Sequence, residues 1–478
     1  MKYCIISLLF VLFLFGFVGY QSLGYDDEIM SIDMVEQIGS FKDLILAVNS
    51  CDVHPFGAYV INKALFMMTG SWQFVRLTGA LAAGLALWFF WYFVFIKNKE
   101  KKHTLDVLIY SFLAVCLNPT VLLWCTGLRW YVYYVPFICL LGILIRQKSM
   151  NEYWFWSLYA LLATVMLHIN YITFIVIAVS FVCILFQRRD VLKKEIITIV
   201  MAASSFLLVS SYQIYVFLTV HMKNSGTQTS SFLASFMSGG QNYLCAQGAM
   251  PTSIFGACLL VANFVLFIRF CASFKQMLCN TEHQWLLGSY LLVIAAKIGA
   301  KTRNFVVLAP ELGSFLTDAY ALIKSFKLRM FVLILTLLGT IGSVYNVTFH
   351  CDTTKASWNT PHREALEQID SYDVSREALV LTNEPVLFYY LKKTGRPVAY
   401  VYEKGWYEKT KEHKGKVIIA KSFKGSMTDD EYKQYESLIS ENTIISKKFL
   451  GYDSFASFKR YFNQFYPDYY LELYLLSL

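Results

Sequence analysis

Up to Val347 the chain is a succession of apolar runs separated by short polar stretches. Most runs approach the roughly twenty residues that cross the hydrocarbon core of a bilayer. They predict about eleven membrane helices: Tyr3–Gly19, Leu77–Ile96, Thr104–Leu123, Trp130–Ile145, Tyr153–His168, Tyr171–Phe186, Ile196–Val220, Ile254–Phe270, Trp285–Ile298, Phe305–Ile323 and Met330–Val347. The first run is flanked by Lys2 but lacks a small-x-small cleavage pattern, so it reads as a retained signal anchor. Between the first two runs, Ile29, Ile32, Val35 and Ile38 recur every third residue, predicting an amphipathic helix that ends at Gly39 and lies along the membrane surface. A second short helix spans Phe41–Val48, and His54-Pro55 opens a third that runs to Gly70, since proline suits a first helical turn.

After Val347 the period shortens. Ala378–Leu381, Pro397–Tyr402 and Lys416–Ala420 read as strands and Pro385–Lys393 as a helix. The expected architecture is a polytopic α-helical membrane domain, 1–347, with a folded loop at 20–76, followed by a small extracytoplasmic α/β domain, 348–478.

Composition supports the membrane reading. Hydrophobic residues make up 56% of the 478 positions and charged residues only 16%, where a soluble chain carries about a quarter charged. With Lys2 in the cytoplasm, the loops assigned to that side hold Lys97, Lys99, Lys101 and Lys102, then Arg146 and Lys148, then Arg188, Arg189, Lys193 and Lys194, then Lys275, and finally Lys324, Lys327 and Arg329. The first outer loop is acidic instead, with Asp26, Asp27, Glu28, Asp33, Glu36, Asp43 and Asp52 against Lys42, Lys63 and Arg76. The positive-inside rule then places the N-terminus in the cytoplasm of an inner (cell) membrane and the C-terminal domain outside. The eleven cysteines form no C-x-x-C pair, so no zinc or redox site is expected. Phosphate-binding glycine loops and hydrolase or metalloprotease motifs are also absent, and no nucleic-acid partner is expected.

Candidate chemistry concentrates at Asp26-Asp27-Glu28. Adjacent carboxylates at the mouth of a membrane helix are costly to hold there, and a helix cap needs only one of them. The order of features around them resembles the protein mannosyltransferase and aminoarabinose transferase group of membrane glycosyltransferases, which share the GT-C fold. The resemblance rests on Asp27-Glu28, on His54-Pro55 with Gly57-Ala58-Tyr59-Val60-Ile61-Asn62, and on Gly70 and Phe74-x-Arg76-Leu77. Two later patches add to it: Gly127-Leu128-Arg129-Trp130-Tyr131, and Arg303-Asn304-Phe305 with Pro310 taken as the central proline of a late helix. The group usually has Pro-Pro or Lys-Pro where this chain has His54-Pro55.

The resemblance implies an inverting transfer of a hexosyl or pentosyl unit from a polyprenyl-phosphate carrier to a lipid, glycan or protein acceptor on the outer face, in cell-envelope glycan synthesis. Asp27 matches the catalytic base, with Asp26 in its place if the register slips by one. Glu28 would position the acceptor or coordinate a cation. Arg129 with Tyr131 would hold the carrier phosphate, with Lys301 and Arg303 as a second clamp; the competing role for these cations is interfacial anchoring. His54, Arg76 and His168 would position the loop or the acceptor. No cofactor is expected to be required; a divalent cation could be held by the acids, but no ligand spacing calls for one. The competing functions are a transporter or flippase for a lipid-linked sugar and a non-catalytic membrane assembly protein. A transporter should show paired halves, broken helices or ionisable residues at mid-membrane depth, whereas here the spans are uninterrupted at their centres apart from Pro136 and Pro310, and the acids collect outside.

Overall fold

A computed structural model describes residues 2–21, 26–51, 54–97, 103–147, 150–190, 192–221, 254–295, 306–349, 362–373, 376–401, 403, 405–413, 415–421, 429–450 and 471–477. The helices of the first three quarters are α1 (Lys2–Gln21), α2 (Asp26–Gln37), α3 (Phe41–Cys51), α4 (Gly57–Thr69), α5 (Trp72–Trp91), α6 (Leu105–Val115), α7 (Pro119–Trp124), α8 (Trp130–Ile145), α9 (Glu152–Ile169), α10 (Thr173–Gln187), α11 (Leu192–Val216), α12 (Ile254–Ala272), α13 (Phe274–Met277), α14 (Thr281–Ala295), α15 (Ala309–Ala321) and α16 (Phe326–Phe349). Among the described residues, five stretches are long and apolar enough to cross a membrane: Trp72–Lys97, Leu105–Trp124, Lys194–Val220, Phe255–Ala272 and Phe326–Tyr345. Cys4–Tyr20, Trp130–Ile145 and Thr173–Gln187 are shorter apolar helices. The chain is an integral membrane protein.

The chain divides by packing into two units, Met1–Gln21 with Asp33–Phe349, and Ser22–Ile32 with His350–Leu478. The dividing line runs through α2, so the acidic triplet groups with the C-terminal unit, where the sequence division kept it with the membrane domain.

In the first unit the stretch after α1 is folded, and its polar side chains satisfy helix ends. The ammonium of Lys63, on α4, is buried and donates to the carbonyls of Val35 (3.2 Å) and Ile38, carbonyls that the end of α2 leaves without intrahelical partners. The Trp72 indole donates to Glu36 at 2.7 Å and stacks on Phe66 at 4.4 Å. These contacts hold α2, α4 and α5 together. The helix expected to open on His54-Pro55 starts two residues later, at Gly57, with Phe56 as its cap. Gly57 is needed there, because a Cβ would lie 2.4 Å from the carbonyl oxygen of His168 at the end of α9.

Two expected spans are built differently. The run Thr104–Leu123 is broken after Val115, and α7 restarts at Pro119. Asn118 makes the break, its side-chain oxygen accepting from the backbone N–H of Thr120 (3.0 Å) and Val121 (3.3 Å) while Pro119 occupies the first turn. The span expected as one continuous run is thus two helices, α6 and α7. Asn118→Ala removes the side-chain acceptor from the two buried N–H groups of Thr120 and Val121, and thermal unfolding of the purified variant should show a loss of about 1 kcal/mol. The second case is α15, a helix of 13 residues with Pro310 in its first turn instead of at its centre. Proline is tolerated there because no intrahelical bond needs its N–H.

The cation–acid pairs at the other end of this unit join residues far apart in sequence. Arg146, at the end of α8, grips Glu311 of α15 with both guanidinium nitrogens (2.7 and 2.8 Å) and also bonds the Gly142 carbonyl (2.8 Å) and the Ser314 hydroxyl (3.2 Å). A Cβ on Gly142 would sit 1.9 Å from the Glu311 carboxylate, so the glycine makes room for the acid. Asp106, in the first turn of α6, receives Arg329 of α16 at 3.2 Å and the Tyr320 hydroxyl at 3.1 Å.

The C-terminal unit is an α/β sandwich of α17 (His362–Tyr372), β1 (Leu379–Thr382), α18 (Pro385–Lys393), β2 (Val398–Tyr400), α19 (Trp406–Lys411), β3 (Lys416–Lys421), α20 (Asp429–Glu441), β4 (Thr443–Leu450) and β5 (Leu471–Ser477). The sheet order is β2-β1-β3-β5-β4, parallel among the first three strands and antiparallel at β5. Val380, Ile418 and Leu473 pack with α17 and α18 on one face, and Leu381, Ile419 and Leu476 with α19 and α20 on the other. The near-continuous apolar composition of β1 and β3 follows from burial on both faces.

Candidate active site

At one end of the membrane unit, the start of α4, the start of α8 and the end of α9 meet. Arg129 is the N-cap residue of α8, in extended conformation, and is buried. Its Nη1 donates to the Tyr59 hydroxyl on α4 at 3.3 Å. One helical turn further, Asn62 donates to the Leu128 carbonyl (2.8 Å) and accepts from the Tyr133 hydroxyl (2.5 Å). Residues three apart on a helix share a face, so Tyr59 and Asn62 brace the backbone before Arg129 and the guanidinium itself. The N-terminus of α8 adds the partial positive charge of its helix dipole at the same point. A fixed cation and a helix N-terminus together suit an anionic oxygen cluster such as phosphate.

Tyr131 is buried, its ring packed between Trp124 (5.7 Å) and Trp130 (4.0 Å), and its carbonyl accepts from the Cys125 thiol at 3.8 Å. The His54 ring lies 5.9 Å from that of Trp130. On the other side of the same short segment, Phe56 meets the His168 ring edge-on at 5.4 Å, and His168 Nδ1 lies 2.8 Å from the Thr164 carbonyl. The segment His54–Gly57 is thereby wedged between α8 and α9, which brings His54, Arg129, Tyr131 and His168 into one neighbourhood. Arg76 is buried in α5. Among the expected acids, Glu28 is fully buried in α2, which rules out a solvated helix face for that position. Asp26 and Asp27 form the start of α2, their side chains outside the described residues; Lys301 and Arg303 lie outside them altogether. Among the described residues no cluster of His, Cys, Asp or Glu is arranged to hold a metal ion.

Tyr59, Asn62 and Tyr133 were not singled out from the sequence. Their signal was present in part, since Tyr59 and Asn62 fall three apart within a stretch that already carried the family resemblance. Tyr133 belongs to a run of aromatic residues that reads as an interface belt, and nothing local distinguishes it.

No protein-family model matches the chain, and no curated protein matches it by sequence. Solved structures do match. The crystal structure of ArnT from Cupriavidus metallidurans in the apo state is similar over 98% of this chain and 97% of that one, with a TM-score of 0.54 at 10% identity. The same protein bound to undecaprenyl phosphate is similar over 99% and 97%, with a TM-score of 0.53 at 10% identity. From one end to the other, the chain has the GT-C fold of the ArnT aminoarabinose transferase.

Proposed function

We propose that the protein is an inverting glycosyltransferase that moves a sugar from a polyprenyl-phosphate carrier to an acceptor at the outer face of the membrane. The observation that carries this reading is the whole-chain likeness to a transferase fold known in complex with undecaprenyl phosphate. The buried Arg129 at the start of α8 supports it independently, as an anion-binding element already held in place by Tyr59. About eleven membrane crossings, with Lys2 in the cytoplasm and the C-terminal unit outside, complete the reading.

The chemistry asks little more of the protein. The acceptor hydroxyl attacks the anomeric carbon from the side opposite the phosphate, so a single displacement inverts the configuration. Asp27 takes the hydroxyl proton as the new bond forms, and Glu28 orients the acceptor. The C–O bond to the carrier phosphate breaks with its electron pair, and Arg129, joined by Lys301 and Arg303, stabilises the charge gathering on the phosphate. Tyr131 stands with Arg129 at the carrier phosphate, His54 and His168 position the loop or the acceptor, and Arg76 serves the scaffold. No metal is required in this scheme.

Purified full-length protein incubated with a panel of polyprenyl-phosphate sugars should transfer at least one of them to an acceptor lipid, glycan or peptide; turnover of none across the panel would overturn the reading. Arg129→Ala is expected to raise the apparent KM for the lipid donor by about tenfold or more, with a much smaller effect on the acceptor. Equal effects on both would remove Arg129 from the phosphate role.

A further inference from the structure

Most buried polar atoms in a folded protein have a partner, and one left without costs about 1–3 kcal/mol. Three such atoms lie on α3 and α11, which touch through an amide contact between Asn49 and Gln213. They are Asn49 Nδ2 on α3, and Ser210 Oγ and Gln213 Oε1 on α11. All three residues are more than nine-tenths buried, and none of these atoms has a hydrogen-bond partner among the described residues. Ser210 and Gln213 are three apart and so share a helix face. The two amides meet weakly, Gln213 Nε2 reaching Asn49 Oδ1 at 3.5 Å and also donating to the Tyr171 hydroxyl. Tyr171 in turn belongs to an aromatic cluster, with ring centres 4.7 Å from Phe217 and 6.5 Å from Phe174.

Core packing does not account for this composition. Leucine at 49 and 213 and alanine at 210 would fill a helix seam without stranding a donor, an acceptor and a hydroxyl in one place. What the seam offers is one N–H donor, one carbonyl acceptor and a hydroxyl able to do either, beside an aromatic wall. Those groups suit neighbouring hydroxyls on a sugar ring. One ring hydroxyl accepts from Asn49 while the next donates to Gln213, Ser210 serves whichever is left short, and the C–H face of the ring packs on Tyr171.

We infer that Asn49, Ser210 and Gln213 form a specificity-determining subsite for adjacent hydroxyls of a sugar carried by one of the substrates. The inference rests on the glycosyl-transfer reading and names the group that reading leaves open. The seam is closed in this structure. A sugar enters when α3 draws back from α11; the 3.5 Å contact between the two amides is long for a hydrogen bond, and the separating groups gain partners on the ligand.

The test uses full-length protein in lipid nanodiscs. Wild type is first run against the panel of polyprenyl-phosphate sugars to find a donor and acceptor that turn over; turnover of none overturns the glycosyltransferase reading and the subsite with it, whereas the later steps bear on the subsite alone. With a working pair, kcat/KM is measured for the parent sugars and for monodeoxy analogues of each, in wild type and in Ser210→Ala, Asn49→Leu and Gln213→Leu. The expected result is about a tenfold preference of wild type for the parent over one monodeoxy analogue. Each variant loses a similar factor on the parent and no longer separates it from the deoxy sugar, while its melting temperature stays at or above that of wild type. Whether the sensitive analogue belongs to the donor or the acceptor identifies which sugar occupies the subsite. Gln213→Leu also strips Tyr171 of a hydrogen bond; Ser210→Ala removes only an unpartnered hydroxyl and so keeps the test clean. Wild-type discrimination retained in every variant would overturn the inference. So would a uniform loss of activity on all analogues accompanied by a lower melting temperature, the mark of packing alone.

Discussion

Asp27→Asn is expected to lower sugar transfer by at least about a hundredfold while leaving the protein folded and inserted. Asparagine keeps the size of the side chain and its capacity to cap a helix, so the start of α2 should be preserved. What it loses is the ability to take a proton, and a positioned base contributes about 10²–10⁴ in rate. The comparison that gives this weight is Asp26→Asn, where little change is expected if Asp27 is the base. Glu28→Gln should show a smaller loss, expressed in the acceptor KM, because the buried Glu28 is assigned to orienting the acceptor. Full activity in all three variants, measured with the donor found by profiling, would remove catalysis from the acidic triplet.

The largest effect on stability is expected at the Arg146–Glu311 pair. Glu311 is 2% exposed and Arg146 12%, so removing either partner strands a charge away from water. Glu311→Ala should cost about 3–5 kcal/mol, seen as a steep fall in melting temperature in detergent. Replacing both residues by methionine removes the stranded charge together with its partner, and most of the stability should return. A double variant no more stable than Glu311→Ala would mean that the pair does more than compensate for its own burial. Gly142→Val should be as damaging as Glu311→Ala, since the added side chain occupies the carboxylate's position.

What could be read from the sequence was local. The three-residue spacing of Ile29, Ile32, Val35 and Ile38 located α2, and Pro385 with the apolar residues behind it located α18 to the residue. The strands β1, β2 and β3 were visible as short apolar segments, each off by a residue or two at its ends. Arg129 could be flagged because Gly127-Leu128-Arg129-Trp130-Tyr131 resembles the family's pattern at the outer start of a membrane helix. The partners that give these residues meaning were not visible. Asn118-Pro119 carries a cap-and-first-turn pattern, yet the apolar residues on both sides masked it as one continuous span. Glu311 and Gly142 are linked only in space, across 165 residues between Arg146 and its acid. The amide seam of Asn49 and Gln213 joins residues 164 apart and leaves no trace in any window of sequence.

The position of β5 has a consequence for how the C-terminal unit assembles. This strand lies between β3 and β4, so β4 has no neighbour in the sheet until residues 471–477 arrive. Strands cannot be added in the order in which the chain emerges. After β3 has joined β1 and β2, its free edge and the whole of β4 must wait, with unpaired backbone groups exposed, for a segment synthesised later. Completion of this unit is therefore a non-local step, slow by comparison with helix formation, and the interval before it is when the chain is most open to wrong pairing and to proteases.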